Sequence, residues 1–335
     1  MNIRETMEQW ERQNLSPYAS LSSETLGRDR EEPLCDIRPA YQRDRDRILH
    51  SKSFRRLKDK TQVFLAPEGD HYRTRLTHTL EVSQIARTIA KALRMNESLT
   101  EAIALGHDLG HTPFGHAGEY ILNEICEDGF AHYKQSVRVV EVLEKKGQGL
   151  NLTKEVRDGM LNHRTSGNPV TLEGKIVRFS DKIAYINHDI DDAIRGKIIT
   201  ERDIPREYAD VLGDTVKDRL NIMIHDIINN SMDRPSIFMS PDVERAMRGL
   251  REWMFEHVYR NPAAKGEEGR AQQLIVTLYE YYLKHVDELP EEYLAMMELR
   301  GEKRERVVCD YIAGMSDGYA IDRFEELFVP KGWNV

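Results

Sequence analysis

Cysteine is scarce in this 335-residue chain: Cys35, Cys126 and Cys309 are all it has, and no two form a CxxC pair. That excludes a disulfide-stapled fold and a cysteine-rich zinc site, and it fits a reducing cytoplasm. Long apolar runs are missing too. No stretch approaches the ~20 residues that span a bilayer, and the opening MNIRETMEQWERQ has no apolar segment of a signal peptide. A cytoplasmic location with no membrane partner is expected. Net positive charge is also lacking. The 48 Lys and Arg against 57 Asp and Glu leave −9, which excludes a globally basic nucleic-acid coat protein. Runs with period two are nearly absent, so strands are not expected. Hydrophobic residues are 40% of the chain and are spread along it, which excludes intrinsic disorder.

What is present is helical period. Residues 1–50 are polar and read as an irregular arm leading into a first helix from Asp44 to Leu57. Pro67 and Gly69 mark a loop. In 74–94, Leu76, Leu80, Val82, Ile85, Ile89 and Leu93 form an apolar stripe. Leu99–Leu109 is a short helix stopped by Gly110 and Pro113. Further helices are expected at 114–124, 135–145, 153–162 and 172–194, then at 208–230, 241–258, 270–287 and 290–313. Asn261–Gly269, rich in Gly, Pro and charge, reads as a loop. The fold class is all-α, with an arm and first helix (1–50), a core (51–200) and a C-terminal helical lobe (201–335).

Histidine is the compositional signal. Of 12 histidines, seven lie between His78 and His188. His107 and Asp108 are adjacent in ALGHDLGHTPFGHAGE. One imidazole and one carboxylate side by side suit Mg, Mn, Fe, Co, Ni or Zn in a catalytic site better than a structural zinc. His78 upstream and Asp181 downstream sit inside apolar helices, where an unpaired polar group needs a reason. Four such residues on three helices would leave coordination positions open for water and substrate.

The order His…His-Asp…Asp resembles that of the HD-domain metal-dependent phosphohydrolases. The segments FRRLKDKTQVF (54–64), RTRLTHTLEV (73–82), GHDLGHTPFGHAGE (106–119), HYKQSVRVV (132–140) and DKIAYINHDIDDA (181–193) are similar to those of bacterial deoxyguanosine triphosphate triphosphohydrolases and related dNTPases. The resemblance covers roughly residues 25–200. It implies an HD-domain helical core. It also implies metal-dependent hydrolysis of dGTP or other dNTPs at the α-phosphate, releasing the deoxynucleoside and inorganic triphosphate.

Carried over by resemblance, His78, His107, Asp108 and Asp181 are the metal ligands. His116 and Glu119 are the catalytic pair; three residues apart on one helix, they share a face. His111 faces the phosphates, and His132 is a further phosphate-side histidine, followed by Tyr133 where the family commonly has Asn. Arg75 and Lys182 grip phosphate, Tyr185 packs on the sugar, and Asp189 and Gln62 bond the 3′-hydroxyl. From Lys52 to Arg75 seven basic residues face three acids, a local +4 inside the acidic chain. Relatives also imply a homo-oligomer, an allosteric dNTP and weak single-stranded DNA binding, with the arginine-rich stretch 28–56 as the candidate surface. Two rival readings stand beside the triphosphohydrolase. One is an HD-type hydrolase of a nucleoside monophosphate or an alarmone; the other is a dNTP-sensing or single-strand-binding module with secondary catalysis.

Overall fold

The structure is a computed structural model that describes residues 2–62, 73–259 and 262–332. The loop expected around Pro67 and Gly69 lies outside the described residues. Among those described there is no strand; a single bridge joins Thr61 to Thr74. The helices are α1 (Ile3–Asn14), α2 (Ala40–Leu49), α3 (Lys52–Arg56), α4 (Arg75–Ala92), α5 (Glu97–Gly106), α6 (Gly115–Ile125), α7 (His132–Arg138) and the short α8 (Glu144–Gly147). They continue with α9 (Lys154–Asn162), α10 (Leu172–Arg195), α11 (Arg206–Leu212), α12 (Val216–Ser231), α13 (Pro241–Met254), α14 (Pro262–Lys284), α15 (Glu291–Arg300), α16 (Arg304–Ala313) and α17 (Asp317–Phe328).

Several expected boundaries are corrected by capping chemistry. The N-terminal arm is not irregular throughout. Asn2 and Glu5 form a reciprocal capping box, with the Glu5 amide donating to Asn2 Oδ1 at 2.9 Å, and α1 follows. The helix expected over 44–57 breaks after Leu49, because Ser51 caps α3 by accepting from the Phe54 amide at 3.1 Å. The stretch 262–269 is helical, not a loop: proline suits a first helical turn, where its missing amide would have no partner. Gly213 (φ 97°) divides 208–230 into α11 and α12, and Gly301 (φ 66°) divides 290–313 into α15 and α16.

Two hydrophobic cores result. The first runs from Tyr41 to Val258 and holds α2, α4, α5, α9 and α10 together with α11–α13. Its centre is Ile85, Ile89, Leu99, Ile103, Ile176 and Ile183, all buried. The second joins α6 to α14–α17 through Leu122, Ile275, Leu278, Val308 and Ile312. The helix carrying His116 and Glu119 therefore packs with the C-terminal lobe, while the helices carrying His78, His107 and Asp181 pack with one another.

Candidate metal centre and catalytic loop

The four expected ligands converge. His78 lies in the first turns of α4, whose start is fixed by a Thr74–Thr77 capping box. His107 caps the C-terminus of α5, and Asp108 follows in the turn. Asp181 lies mid-way along α10. His78 Nε2 is 3.2 Å from Asp181 Oδ1, and His107 Nε2 is 3.4 Å from Asp108 Oδ1 and 3.7 Å from Asp181 Oδ1. Ligand atoms of His78, His107 and Asp108 all lie within 4.8 Å of one another. His107 Nδ1 donates to the Ala104 carbonyl at 2.6 Å. That fixes the ring and turns Nε2 into the centre, where it is buried and has no hydrogen-bond partner among the described residues.

The centre attracts positive charge. Burial opposes a charged His107, yet Asp108 and Asp181 outweigh it and raise its pKa to about 9. Burial likewise opposes the ionised carboxylates, but the neighbouring histidines, and Arg75 for Asp108, hold both well below the usual range. Buried nitrogen and oxygen donors with one orphaned Nε2 fit a divalent ion of the Mn–Zn series.

The catalytic loop follows directly. His111 Nε2 is 3.2 Å from Asp108 Oδ1, so His111 shares the carboxylate that faces His107. Its ring stacks on His132 with centroids 4.1 Å apart. Gly110 permits this: a Cβ there would lie 2.2 Å from the Ser136 amide and 2.4 Å from the His132 carbonyl. Phe114 (φ 61°) and Gly115 (φ 55°) both turn left-handed and aim α6. On α6, Glu119 makes its hydrogen bonds to His132, accepting from the His132 amide at 2.9 Å and from Nδ1 at 2.8 Å. His116 Nδ1 stands 3.7 Å from Glu119 Oε2, an ion-pair distance, and the His116 side chain is 76% exposed. Burial opposes ionisation of Glu119, but His116 and His132 hold it far below the usual carboxylate range.

The expected substrate wall is less uniform. Arg75 is buried with its guanidinium engaged: Nη1 donates to Asp108 Oδ2 at 3.0 Å and Nη2 to the Gln62 carbonyl at 3.1 Å. Gln62 Oε1, Tyr185 Oη and Asp189 Oδ1 are buried and have no hydrogen-bond partner among the described residues. Burial pushes Asp189 up to about 7, and the Tyr259 hydroxyl donates to its other oxygen. Burial lowers the pKa of Lys182, whose ammonium lies 5.6 Å from the Phe179 ring centre. Tyr133 stands edge-on to His132 and receives a hydrogen bond from Arg164 at 2.9 Å.

Sequence reading missed other groups here. His163, at the end of α9, sits with its ring 5.0 Å from His107 and its Nε2 3.3 Å from His132 Nε2. Its signal was the histidine cluster itself. Arg251, on α13, lies 5.9 Å from the Tyr185 ring centre. Lys60 is buried and donates to the His111 and Ala313 carbonyls, and burial lowers its pKa to about 7. Asp317, at the start of α17, accepts from the Thr61 amide at 3.0 Å, the Thr61 hydroxyl at 2.7 Å and the Phe114 amide at 2.9 Å.

Known proteins match this arrangement. The HD domain family model covers residues 75–186, and the phosphohydrolase-associated domain covers 237–326. A deoxyguanosinetriphosphate triphosphohydrolase-like protein of Caldanaerobacter subterraneus subsp. tengcongensis is 57% identical over 333 residues, 99% of this chain and 98% of its own. One from Clostridium perfringens is 48% identical over 340 residues, covering 99% of each chain. The chain belongs to the HD-domain deoxyguanosinetriphosphate triphosphohydrolase-like family. It is a phosphohydrolase. A solved phosphohydrolase from Bacteroides thetaiotaomicron shares the fold, with TM-score 0.53, 16% identity and coverage of 84% of this chain and 69% of that one. Among the described residues no helix is long and apolar enough to cross a membrane.

Proposed function

We propose that this phosphohydrolase is a dNTP triphosphohydrolase: water attacks the α-phosphorus, the bond to the 5′-oxygen breaks, and deoxynucleoside and inorganic triphosphate leave. The observation that carries this reading is that the four metal-ligand candidates and the Glu119–His132–His116 group meet at one edge, Asp108–His111. The relatives' names, deoxyguanosinetriphosphate triphosphohydrolase-like protein, point to the substrate class.

A divalent ion held by His78, His107, Asp108 and Asp181 would polarise the α-phosphate and lower the pKa of a water. The chain's own groups do the rest. Asp108 faces His107 and His111 through one oxygen and is clamped by Arg75 through the other, so it cannot swing. Glu119, held ionised, fixes His132 through Nδ1–H and balances the positive charge that develops as His132 Nε2 takes the proton the water loses. His116, exposed beside Glu119, delivers a proton to the departing 5′-oxygen. Arg75 and Lys182 place positive charge beside the triphosphate, with His111 lining it. The unpartnered oxygen of Asp189 accepts the 3′-hydroxyl hydrogen, the Gln62 amide donates to the hydroxyl oxygen, and Tyr185 closes the sugar site where a 2′-hydroxyl would collide.

The test is a panel of the four dNTPs, alone and mixed, with Mg or Mn and separation of phosphate products. Triphosphate release supports the reading. Orthophosphate or pyrophosphate supports the monophosphate or alarmone reading. Stimulation of one dNTP's hydrolysis by another supports a regulatory nucleotide site, and sedimentation of the same sample reads the homo-oligomer.

A further inference from the structure

We propose that the cleft behind the catalytic loop, walled by α3 and α8 on one side and by α15 and α16 on the other, binds a small inorganic oligophosphate.

The cleft holds about 550 Å³ open to solvent, and Leu109 and Gly110, just before His111, line it. None of His78, His107, Asp108 and Asp181 does. Charge sets this cleft apart. Three acids line it, and each is already engaged. Glu144 accepts from the Ser53 amide at 2.8 Å and the Ser53 hydroxyl at 2.7 Å. Glu292 pairs with Lys52 at 3.4 Å. Asp310, buried, pairs with Arg138 at 2.6 Å and Arg306 at 2.8 Å. Four more cations line the same space, Arg56, Lys60, Lys145 and Lys146, and none has an ion pair among the described residues. Arg56 donates to the Gly314 carbonyl at 3.0 Å. Lys60 donates to the His111 and Ala313 carbonyls, and an ammonium has three hydrogens, so one is left for a ligand. Burial and the neighbouring Arg56 lower the Lys60 pKa to about 7, as expected of a cation short of countercharge. Three of the seven basic residues between Lys52 and Arg75, namely Lys52, Arg56 and Lys60, thus line this cleft and not the metal centre.

The backbone of the wall is held in uncommon conformations. Lys145 (φ 52°, ψ 46°) and Lys146 (φ 55°, ψ 50°) are both left-handed, a region that residues with a Cβ enter at a cost. They follow a π-helical turn, Val139–Leu143, whose two end residues also line the cleft. Such geometry concentrates where a chain places side chains for binding. The ligand class follows from the walls. Four uncommitted cations facing one space call for several negative oxygens, and guanidinium and ammonium groups both serve phosphate. A base has no platform: the one aromatic residue lining the cleft, Tyr293, is buried and packs against Tyr311 with ring centres 5.2 Å apart.

The full-length chain, stripped of metal with chelator, is titrated calorimetrically with inorganic pyrophosphate alone, and amide hydrogen exchange maps the contact. One equivalent should bind, with exchange slowed at 52–60 and 143–147. K145N/K146N keeps the left-handed turn, which asparagine tolerates, and should weaken binding at least about tenfold, as should R56Q. K182Q, at a residue that does not line the cleft, should bind pyrophosphate as the unaltered chain does. No saturable binding overturns the proposal. So does slowing confined to 75–78 and 181–185, or binding lost in K182Q and kept in K145N/K146N. Tighter binding of ADP than of pyrophosphate would make the ligand a nucleotide and overturn the inorganic assignment. The exchange map of the unaltered chain locates the site without any variant, and the readout needs no turnover, so its outcome is independent of the substrate reading.

Discussion

The candidate metal centre and the helix carrying His116 and Glu119 stand side by side but hang on different cores. His78, His107 and Asp181 come from α4, α5 and α10, which bury their apolar faces against one another in the first core. His116 and Glu119 ride on α6, whose Ala117 and Leu122 are buried and which packs with α14–α17. Polar contacts join these halves, among them the Arg138–Asp310 ion pair at 2.6 Å. Asp317 holds the amides of Thr61 and Phe114, Lys60 joins the His111 and Ala313 carbonyls, and Arg56 donates to the Gly314 carbonyl at 3.0 Å. On the proposed reading one half binds charge and the other aims it, which makes the C-terminal lobe part of the proposed catalytic arrangement.

Changes in the first half should have the largest effects. Asp108→Ala removes a carboxylate shared by His107, His111 and Arg75. Metal content should fall and triphosphate release should drop to background; an Asp108→Ala protein with full metal content and rate would sink the ligand assignment. Next comes Glu119→Gln, which keeps the shape and removes the charge. Triphosphate release should fall by about 10²–10⁴-fold with metal content unchanged. Loss of metal with the rate would place Glu119 in the first half instead.

Asp317→Ala tests the coupling between the halves. Three hydrogen bonds vanish from residues that touch neither ion nor substrate. The turnover number should fall about 10–100-fold, the range for groups that orient a site from outside it. KM and metal content should hold, and Asp317→Glu should recover part of the loss. An unchanged turnover number would show that the cores align without this contact.

The smallest effect is expected at the sugar end. Asp189, with a pKa of about 7, ionises as pH rises through neutrality. Its free oxygen then accepts the 3′-hydroxyl as a charged group, worth about 1 kcal/mol more, so KM should fall about 5-fold from about pH 6 to about pH 8. Asp189→Asn should flatten that profile. The stability sign is opposite. The folded chain holds this proton between the ordinary value of 3.8 and about 7, so Asp189's contribution to stability falls as pH rises across that window.

The two halves also differ in how far the chain itself discloses them. Helical period along α4, α5 and α10 identified the all-α class, and the His78, His107–Asp108, Asp181 series is readable because a metal demands particular side chains. Coupling through backbone leaves no such mark: Asp317 serves amides, and any residue has one. His163 escaped for a related reason. Its partner His132 is distant in the chain, and its meaning depends on Met160 holding Nδ1 so that Nε2 points at another histidine. Boundaries failed where one cap outweighed composition, as at Asn2 and Ser51.

The most direct test of the central claim is hydrolysis of dGTP with Mn in ¹⁸O-labelled water, with products resolved by phosphorus NMR and mass spectrometry. Attack at the α-phosphorus predicts inorganic triphosphate carrying one ¹⁸O and an unlabelled deoxynucleoside. Label in the deoxynucleoside, or release of orthophosphate or pyrophosphate in place of triphosphate, would contradict it.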